Sequence, residues 1–327
     1  MSAIKKAILL VGGKGTRLMP LTTNVPKPML RIAGAPVTEH QIVKAREAGV
    51  TEIVLATSYL ADVFKPYFGD GSRFGIKIKY AFENQPLGTG GAIANAAAEL
   101  SLSPDESIFI FNGDVLSSHN LRAQADLHFS KGASATLHLV EVEDARAYGC
   151  VPLAGDGKVL DFLEKMDNPI AKTINAGCYI FSKAALEKIP IGQVISVERE
   201  TFPLLLKSAG SIFGYCDSDY WIDMGTPASM IKASRDLIMQ PHISRATPKV
   251  AADRLVAPSA NLHPNANVSA GSFIEDRVVI GENSQVLGSI IGADCVIESE
   301  VFIENSYLAP GSRVKSGSKL RGKIFGF

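Results

Sequence analysis

A glycine-rich stretch near the start of the chain combines backbone freedom with positive charge. It contains, in order, Leu10, Gly12, Gly13, Gly15, Thr16 and Arg17. Glycines let backbone N–H groups approach an anion closely. The guanidinium of Arg17 can donate paired hydrogen bonds to phosphate oxygens, and Lys27 adds a cation between two prolines that stiffen the backbone. This combination predicts a polyphosphate site rather than an exposed turn.

Two common phosphate-binding motifs do not describe this stretch. The dinucleotide pattern G-x-G-x-x-G begins at Gly13 but lacks its third glycine, because Leu18 stands in that position. The P-loop pattern G-x-x-x-x-G-K-[ST] does not occur here. The stretch therefore requires a different phosphate-binding arrangement.

The elements that must position these residues alternate along the chain. Strand-like apolar runs occupy residues 7–11, 53–56, 76–81, 107–111, 135–140 and 178–181, and helical patterns occupy 38–48, 91–100 and 121–131. This alternation predicts a Rossmann-like α/β fold with a mostly parallel sheet and helices on both faces. Ligands of such sheets bind beyond the carboxyl ends of the strands.

The last part of the chain has a different texture. Residues 240–267 are rich in Pro, Ala, Ser and Asn, and residues 241–262 are predicted to be a linker. Aliphatic residues then recur every six positions, with two steps of five: Val268, Ile274, Ile280, Val286, Ile291, Ile297, Ile303, Leu308, Val314 and Leu320. This hexapeptide pattern predicts a short left-handed parallel β-helix over residues 263–327. The repeat contains no histidine, which favours a structural or oligomerisation role over acyl transfer.

Composition excludes several classes of partner and location. Apolar residues make up 46% of the 327 residues, and Lys+Arg and Asp+Glu both total 33. This balance gives no reason to expect a nucleic acid or a membrane surface as partner. The four cysteines form no CxxC pair, and no apolar run is long enough for a secretory signal or a membrane span. The cytoplasm is the predicted location.

Several motifs together resemble those of the sugar-phosphate nucleotidylyltransferases. The stretch GGKGTRLMPLTTNVPKPML is similar to the signature of that family. Further similar segments follow in order: ENQPLGTGG with Gln85, Pro86, Gly88 and Thr89, NGD with Asn112 and Asp114, YG with Gly149, FLEK with Glu164 and Lys165, NAG with Asn175, and WIDMGT with Asp223. The resemblance spans about residues 4–235 and implies a nucleotidyltransferase catalytic domain, bounded here at residues 1–240. The residues in these motifs most resemble those of the mannose-1-phosphate guanylyltransferase subgroup.

The resemblance implies a reaction between two anions. GMP is transferred from GTP to mannose 1-phosphate, which gives GDP-mannose and pyrophosphate by in-line attack on the α-phosphorus. Arg17 would neutralise the leaving pyrophosphate, and Lys27 would hold oxygens near the α-phosphate. Asp114 and Asp223 would share one Mg²⁺, whose preferred ligands are hard carboxylate oxygens.

The remaining roles implied by the resemblance concern the two substrates. The nucleotide is assigned to Leu10, Gly12, Gly13, Gly15, Thr16, Arg17, Gln85, Pro86, Gly88, Thr89, Asn112 and Asp114. The sugar phosphate is assigned to Gly149, Glu164, Lys165 and Asn175. One position departs from the family pattern, because Met166 stands where a proline usually follows the lysine. The loop that carries Lys165 is therefore expected to be looser, with its charge retained.

Other functions remain open at this stage. Transfer of UMP or dTMP to glucose 1-phosphate differs only in a few hydrogen bonds of the loop at residues 83–91. A nucleotide-sugar sensor without turnover is a second alternative. The joint presence of five residues argues against it: Arg17, Lys27, Asp114, Lys165 and Asp223. Hexapeptide tails often pack against neighbouring subunits, so a homo-oligomer, either a dimer or a tetramer, is expected.

Overall fold

The computed structural model describes residues 3–58, 60–164, 166–207, 211–248 and 252–327. The chain divides into two compact units. The first unit comprises Met1–Gly13 and Lys44–Trp221, and the second comprises Lys14–Val43 and Ile222–Phe327. Within the described ranges, no helix is both long enough and apolar enough to cross a membrane.

The first unit is built on a sheet whose centre is parallel. Lys6–Leu10 lies between Glu52–Thr57 and Ser107–Asn112 and pairs in parallel with both, and Lys77–Phe82 continues the sheet beside Glu52–Thr57. These strands form because each is an apolar run that is buried in the sheet, as with Ile8, Val54 and Ile110. The strands predicted from the sequence are confirmed to within a residue or two at their ends, except that 178–181 is only the last part of the strand Thr173–Ser182.

Antiparallel strands extend this sheet on one side. Thr173–Ser182 pairs antiparallel with both Ser107–Asn112 and Ala135–Glu141, and Ala135–Glu141 pairs in parallel with Ile212–Asp217. The pairing of Thr173–Ser182 with Ala135–Glu141 shifts register between Asn175 and Tyr179. Two short strands, Gly149–Cys150 and Leu163–Glu164, complete the sheet among the described residues. The predicted Rossmann-like fold is confirmed, and the sheet is mixed, with parallel strands at its centre and antiparallel pairs on one side.

Helices connect the strands. The α-helices are Val37–Ala48, Phe64–Phe68, Gly88–Ala97, Leu121–Ser130, Lys183–Leu186, Phe202–Lys207 and Pro227–Met239, and Val197–Thr201 forms a π-helix. Their ends follow known capping chemistry. The Asn120 side chain accepts hydrogen bonds from the backbone of Arg122 and Ala123, and Thr226 forms a capping box with Ser229 ahead of the last helix.

The second unit contains stacked parallel strands. They are Arg254–Val256, Asn261–Leu262, Asn267–Ser269, Ser272–Ile274, Val279–Ile280, Gln285–Leu287, Ile290–Ile291, Val296–Ile297, Phe302–Glu304, Tyr307–Leu308, Arg313–Val314, Lys319–Arg321 and Ile324–Phe325. They form three sheets. Strands of the first coil pair with residues eighteen positions later, as Asn267 does with Gln285, and the following coils are seventeen residues long, as the pairing of Phe273 with Ile290 shows. Two steps of six and one of five make up a seventeen-residue coil, which explains the two irregular steps in the sequence pattern.

The interior of these coils is the predicted aliphatic set. Val268, Ile280 and Ile297 are buried with the other inward residues, and Leu320 is partly buried near the last coil. Parallel strands stacked in three sheets are the arrangement of the left-handed β-helix that the sequence predicts. Arg254–Val256 is the first strand of this β-helix, so the stacking starts inside the segment predicted as a linker. The domain boundaries at residues 240 and 262 stay a prediction.

Residues 14–43, here called the N-terminal segment, fold in the same unit as the β-helix. His40 illustrates the packing: its ring nitrogens lie 2.7 Å from Ser244 Oγ and 3.1 Å from the carbonyl oxygen of Ile32. Complete burial lowers the pKa of His40 to about 4. The glycine-rich stretch is therefore divided between the two units after Gly13.

Candidate active site

The first unit supplies the start of the glycine-rich stretch and the NGD motif. Leu10 and Asn112 are register partners at the ends of adjacent parallel strands. The backbone N–H of Gly113 donates to Leu10 O at 3.0 Å, and a Cβ at Gly113 would lie 2.4 Å from that oxygen. Only glycine fits this close approach, and the half-buried Asp114 follows directly at the carboxyl edge of the sheet.

Gly12 is held by a residue that sequence reasoning missed. Ser58 Oγ donates to Gly12 O at 2.6 Å, and a Cβ at Gly12 would lie 2.5 Å from that same Oγ. At Gly13 a Cβ would meet no described atom within 4 Å, and the residue is exposed. The backbone therefore leaves Gly13 open to an incoming group. Ser58 directly follows the strand Glu52–Thr57, and this position at the carboxyl end of a strand is the feature from which a site residue could have been predicted.

The second unit holds the rest of the stretch. Gly15 has a left-handed conformation with φ of 60° and precedes the short turn Thr16–Leu18. Thr22 Oγ1 donates to Gly15 O at 2.9 Å, and a Cβ at Gly15 would lie 3.0 Å from Lys27 Cβ. Glycine is required here both by the backbone angle and by the closeness of Lys27. Thr16 and Arg17 are exposed on the turn.

Three of the four predicted catalytic residues meet in this unit. Lys27 is 8% exposed, and its Nζ lies 3.8 Å from Asp223 Oδ1. A Cβ at Gly225 would lie 3.1 Å from Asp223 Oδ2 and 3.2 Å from Nη1 of Arg17. Asp223 thus forms an ion pair with Lys27, and its second carboxylate oxygen and the Arg17 guanidinium both border Gly225. Asp114, the fourth residue, belongs to the first unit.

The loop predicted to bind the base is anchored to a segment that the sequence did not suggest. Thr89 Oγ1 donates to Glu198 Oε2 at 2.8 Å and accepts from the backbone N–H of Val197 at 2.9 Å. Ile195 pairs with the loop through its N–H to Leu87 O and its carbonyl to the N–H of Gly90. These hydrogen bonds fix the first turn of the helix Gly88–Ala97.

The exposed part of this loop carries three of the predicted nucleotide contacts. Gln85, Pro86 and Gly88 are exposed. Gly88 has φ of 71°, and a Cβ at this position would lie 2.5 Å from the carbonyl oxygen of Ile195, so only glycine fits. Glu83 accepts from the backbone N–H of Leu87 at 3.2 Å, and burial raises the pKa of its carboxyl. The exposed residues of this loop can therefore contact a ligand, while hydrogen bonds hold the rest of the loop in place.

A buried phenol joins the NGD and NAG motifs. The hydroxyl oxygen of Tyr179 accepts hydrogen bonds from Asn175 Nδ2 at 2.8 Å and from Asn112 Nδ2 at 3.3 Å. Asn175 Oδ1 in turn accepts from the backbone N–H of Gly177 at 3.0 Å. Tyr179 is fully buried, and burial raises its pKa well above the usual value, so the phenol stays neutral. Sequence analysis did not single out Tyr179.

The structure describes only some of the other residues predicted to bind the sugar phosphate. The backbone of Glu164 pairs antiparallel with that of Gly149, which brings two of the four predicted residues into register. Lys165 lies outside the described residues. Trp221 Nε1 donates to Ala176 O at 3.0 Å and so supports the NAG turn that carries Asn175.

The two residues predicted to bind magnesium carry the kind of side chain that this ion prefers. Among the described residues, no three His, Cys, Asp or Glu side chains group closely enough to hold a metal ion by themselves. Magnesium is usually bound by one or two carboxylates, with phosphate oxygens and water as its other ligands. Asp114 and Asp223 are carboxylates of this kind, one in each unit.

Comparison with known proteins assigns the family. A model of the nucleotidyl transferase family matches residues 6–240, which is most of the chain. The protein belongs to this family. It is a nucleotidyltransferase with a C-terminal β-helix, and the resemblance seen in the sequence motifs is confirmed.

Relatives and solved structures agree with this assignment. The mannose-1-phosphate guanylyltransferase of Mycobacterium tuberculosis (strain ATCC 25618 / H37Rv) is 44% identical over 299 residues, covering 89% of this chain and 82% of that protein. Mannose-1-phosphate guanylyltransferase 1 of Arabidopsis thaliana is 31% identical, covering 98% and 86%. HddC from Yersinia pseudotuberculosis, also solved complexed with GMP-PN, is 31% identical with TM-scores of 0.61 and 0.60 and covers 72% of this chain and 100% of its own.

Proposed function

We propose that this nucleotidyltransferase transfers GMP from GTP to mannose 1-phosphate and releases GDP-mannose and pyrophosphate. The observation that carries the chemistry is the ion pair of Lys27 with Asp223, together with the position of Arg17 and Asp223 on either side of Gly225 in the second unit. Two cations beside one carboxylate suit a polyphosphate that is bound together with a divalent cation. A sensor of nucleotide sugars would not need this set.

The choice of base and sugar is supported by the relatives. Proteins named mannose-1-phosphate guanylyltransferase match 89% and 98% of this chain at 44% and 31% identity. HddC, at 31% identity, was crystallised with the guanine nucleotide analogue GMP-PN. On that basis we infer that the substrates of this chain are a guanine nucleotide and mannose 1-phosphate.

The chain's own groups act by position and charge. A phosphate oxygen of mannose 1-phosphate attacks the α-phosphorus of GTP, and the bond from that phosphorus to the bridging oxygen of pyrophosphate breaks. Arg17, exposed on its turn, neutralises charge on the leaving pyrophosphate, while the nearly buried Lys27 holds oxygens at the α-phosphate. Asn175, Gly149, Glu164 and Lys165 orient the sugar phosphate. The open backbone at Gly13 lets N–H groups reach the triphosphate.

Asp114 and Asp223 are proposed to hold Mg²⁺ together with phosphate oxygens. When bound, the ion supplies charge neutralisation and Lewis-acid polarisation of the α-phosphate. Asp223 is restrained by Lys27, and Asp114 follows the rigid Gly113 turn. Asp223 is therefore restrained through its side chain, and Asp114 through the backbone that precedes it.

Pyrophosphate release tests the proposal. The full-length protein would be assayed with Mg²⁺ over a grid of GTP, ATP, UTP and dTTP against mannose 1-phosphate, glucose 1-phosphate and N-acetylglucosamine 1-phosphate. We expect the highest kcat/KM for GTP with mannose 1-phosphate. A maximum at UTP or dTTP with glucose 1-phosphate would overturn the substrate assignment, and no release in any combination would favour the sensor.

Two further expectations belong to this proposal. A homo-oligomer, either a dimer or a tetramer, is expected, and light scattering on the purified protein measures it directly. The cytoplasm is the expected location, because nucleotide-sugar synthesis uses soluble substrates. Fractionation of the producing cells checks the location.

A further inference from the structure

A short hairpin directly after Lys27 is packed against the C-terminal part of its unit. Its strands are Arg31–Ile32 and Ala35–Pro36. The N–H of Ala33 donates to the buried hydroxyl of Ser234 at 3.0 Å, on the helix Pro227–Met239. A Cβ at Gly34, where φ is 91°, would lie 3.1 Å from Leu255 Cδ2 in the first strand of the β-helix. The hairpin thus rests on both elements.

One ion pair fixes the hairpin to the β-helix. Arg31 Nη1 lies 3.7 Å from Glu275 Oε1, and the guanidinium sits 5.8 Å from the ring centre of Phe273 on the same coil. The Glu275 side chain is only 11% exposed, and its second oxygen accepts from the N–H of Ala293 at 3.1 Å. Burial raises the pKa of Glu275, and the charge of Arg31 opposes that shift. Arg31 therefore compensates a largely desolvated carboxylate.

The hairpin is connected to the predicted phosphate-binding cation by a short hydrogen-bonded path. The N–H of Leu30 donates to Lys27 O at 3.1 Å, and Thr38 Oγ1 donates to Pro28 O at 2.9 Å. Lys27 in turn packs against Gly15 and lies beside Asp223. Only three residues, 28–30, separate Arg31 from Lys27, and two of them are held by these hydrogen bonds.

We infer that Glu275 of the β-helix, acting through Arg31, is a positioning residue for the phosphate-binding cations of the N-terminal segment. Neither residue is assigned a contact with substrate. The β-helix then has a role in nucleotide binding besides any role in assembly. The inference rests on the proposed function, in which Lys27 and Arg17 bind the triphosphate.

The chain offers a matched control for this inference. Glu298 has the same types of partner within the β-helix, although its side chain is 34% exposed: its Oε1 lies 3.2 Å from Arg313 Nη1, and its Oε2 accepts from the N–H of Ser316 at 3.0 Å. Both of its partners belong to the β-helix itself. Glu275→Gln and Glu298→Gln therefore remove the same charge and keep the same acceptor atom, but only the first affects Arg31.

The experiment measures the Kd of Mg-GTP by calorimetry, the KM of both substrates and the thermal midpoint, all on the full chain. We expect Glu275→Gln to weaken Mg-GTP binding about 3- to 10-fold, with the KM of mannose 1-phosphate unchanged. Glu298→Gln should match the wild type. Arg31→Met should reproduce the loss, and Arg31→Lys, which keeps the charge, should recover part of it.

The outcomes separate this inference from the proposed function. Equal Kd values for Glu275→Gln and Glu298→Gln would overturn the inference while an active wild type leaves the function standing. Equal rises in both KM values with a lower thermal midpoint would also overturn it, because they indicate general loosening. A wild type that binds Mg-GTP without turnover would remove the proposed reaction, and the Kd comparison would still decide the inference. A wild type that binds no triphosphate would overturn both.

Discussion

The side-chain amide of Asn175 donates a 2.8 Å hydrogen bond to the phenolic oxygen of Tyr179, which also accepts from Asn112. One buried hydroxyl therefore serves residues from two motifs, NGD and NAG. Asn112 is assigned to the nucleotide and Asn175 to the sugar phosphate. The phenol fixes both amides because its position in the strand Thr173–Ser182 is fully buried.

Replacing Tyr179 with Phe should loosen both amides together. The substitution removes the shared acceptor but keeps the aromatic packing, so the unpaired donors should lower the free energy of unfolding by about 1–3 kcal/mol. The KM values of GTP and mannose 1-phosphate should both rise. Urea denaturation and steady-state kinetics measure the two effects.

Tyr80→Phe is the control for that experiment. The hydroxyl of Tyr80 donates to Gly69 O at 2.7 Å, so the control also loses one phenolic hydrogen bond. Its loss should leave both KM values unchanged. Wild-type kinetics for Tyr179→Phe would show that the shared hydrogen bonds do not orient either substrate.

Asp114→Asn should remove a magnesium ligand with little change in the fold. The amide keeps the size of the side chain but lacks its charge, so we expect turnover to fall by about a hundredfold or more. The Mg²⁺ concentration needed for half-maximal rate should rise as well. Pyrophosphate release across a magnesium titration measures both, with circular dichroism to check folding. A near-normal rate would refute the metal role of Asp114.

Gly91→Ala should distort the base loop. Alanine favours helix over glycine by about 1 kcal/mol, but its Cβ would lie 2.3 Å from the carbonyl oxygen of Gln193. Because that neighbour is backbone, we expect a net loss of about 1–3 kcal/mol and a higher KM for GTP. At the exposed Gly155 a Cβ would meet no described atom within 4 Å, so Gly155→Ala is the matched control. Equal stabilities of the two variants would contradict the close contact.

Acid should destabilise the protein through its buried histidines. Burial lowers the pKa of His128 to about 4, and its ring nitrogens each lie 2.9 Å from a hydroxyl, on Ser107 and Thr136. The unfolded chain binds a proton near pH 6.5, whereas the folded chain does not until about pH 4. Stability is therefore lost as the pH falls through this window, by roughly 1 kcal/mol per pH unit for each such histidine.

Denaturation at pH 7, 6 and 5 checks this dependence. In His128→Gln one of these contributions is absent, so the stability difference from wild type should shrink as the pH falls. A difference for His128→Gln that is the same at pH 7 and pH 5 would contradict the buried neutral ring.

Local patterns predicted the elements of this fold well. Apolar runs gave strands such as Glu52–Thr57, and the six-residue period gave the inward positions of the β-helix, including its two five-residue steps. Both signals are local, because a buried strand or coil shows its burial in consecutive residues. The antiparallel direction of Thr173–Ser182 was not predictable, since direction depends on how distant segments meet.

The candidate site was predicted only where a residue type has a strong chemical meaning. Glycines and cations drew attention to Gly15, Arg17 and Lys27. Supporting residues such as Tyr179 and Glu198 were missed, because a tyrosine in an apolar strand or a glutamate in a short polar helix acquires its role from its tertiary neighbours. The packing of the N-terminal segment on the β-helix has no local signal at all.

That packing also sets an order of events during synthesis. The hydrogen bond from Ala33 to Ser234 joins residues 201 positions apart, and Glu275 is translated later still. The N-terminal segment therefore leaves the ribosome long before its partners exist, with the apolar side chain of Ile32 uncovered. A premature stop codon anywhere before the β-helix would deprive the nascent chain of a support for its first loop, not merely of its last coils.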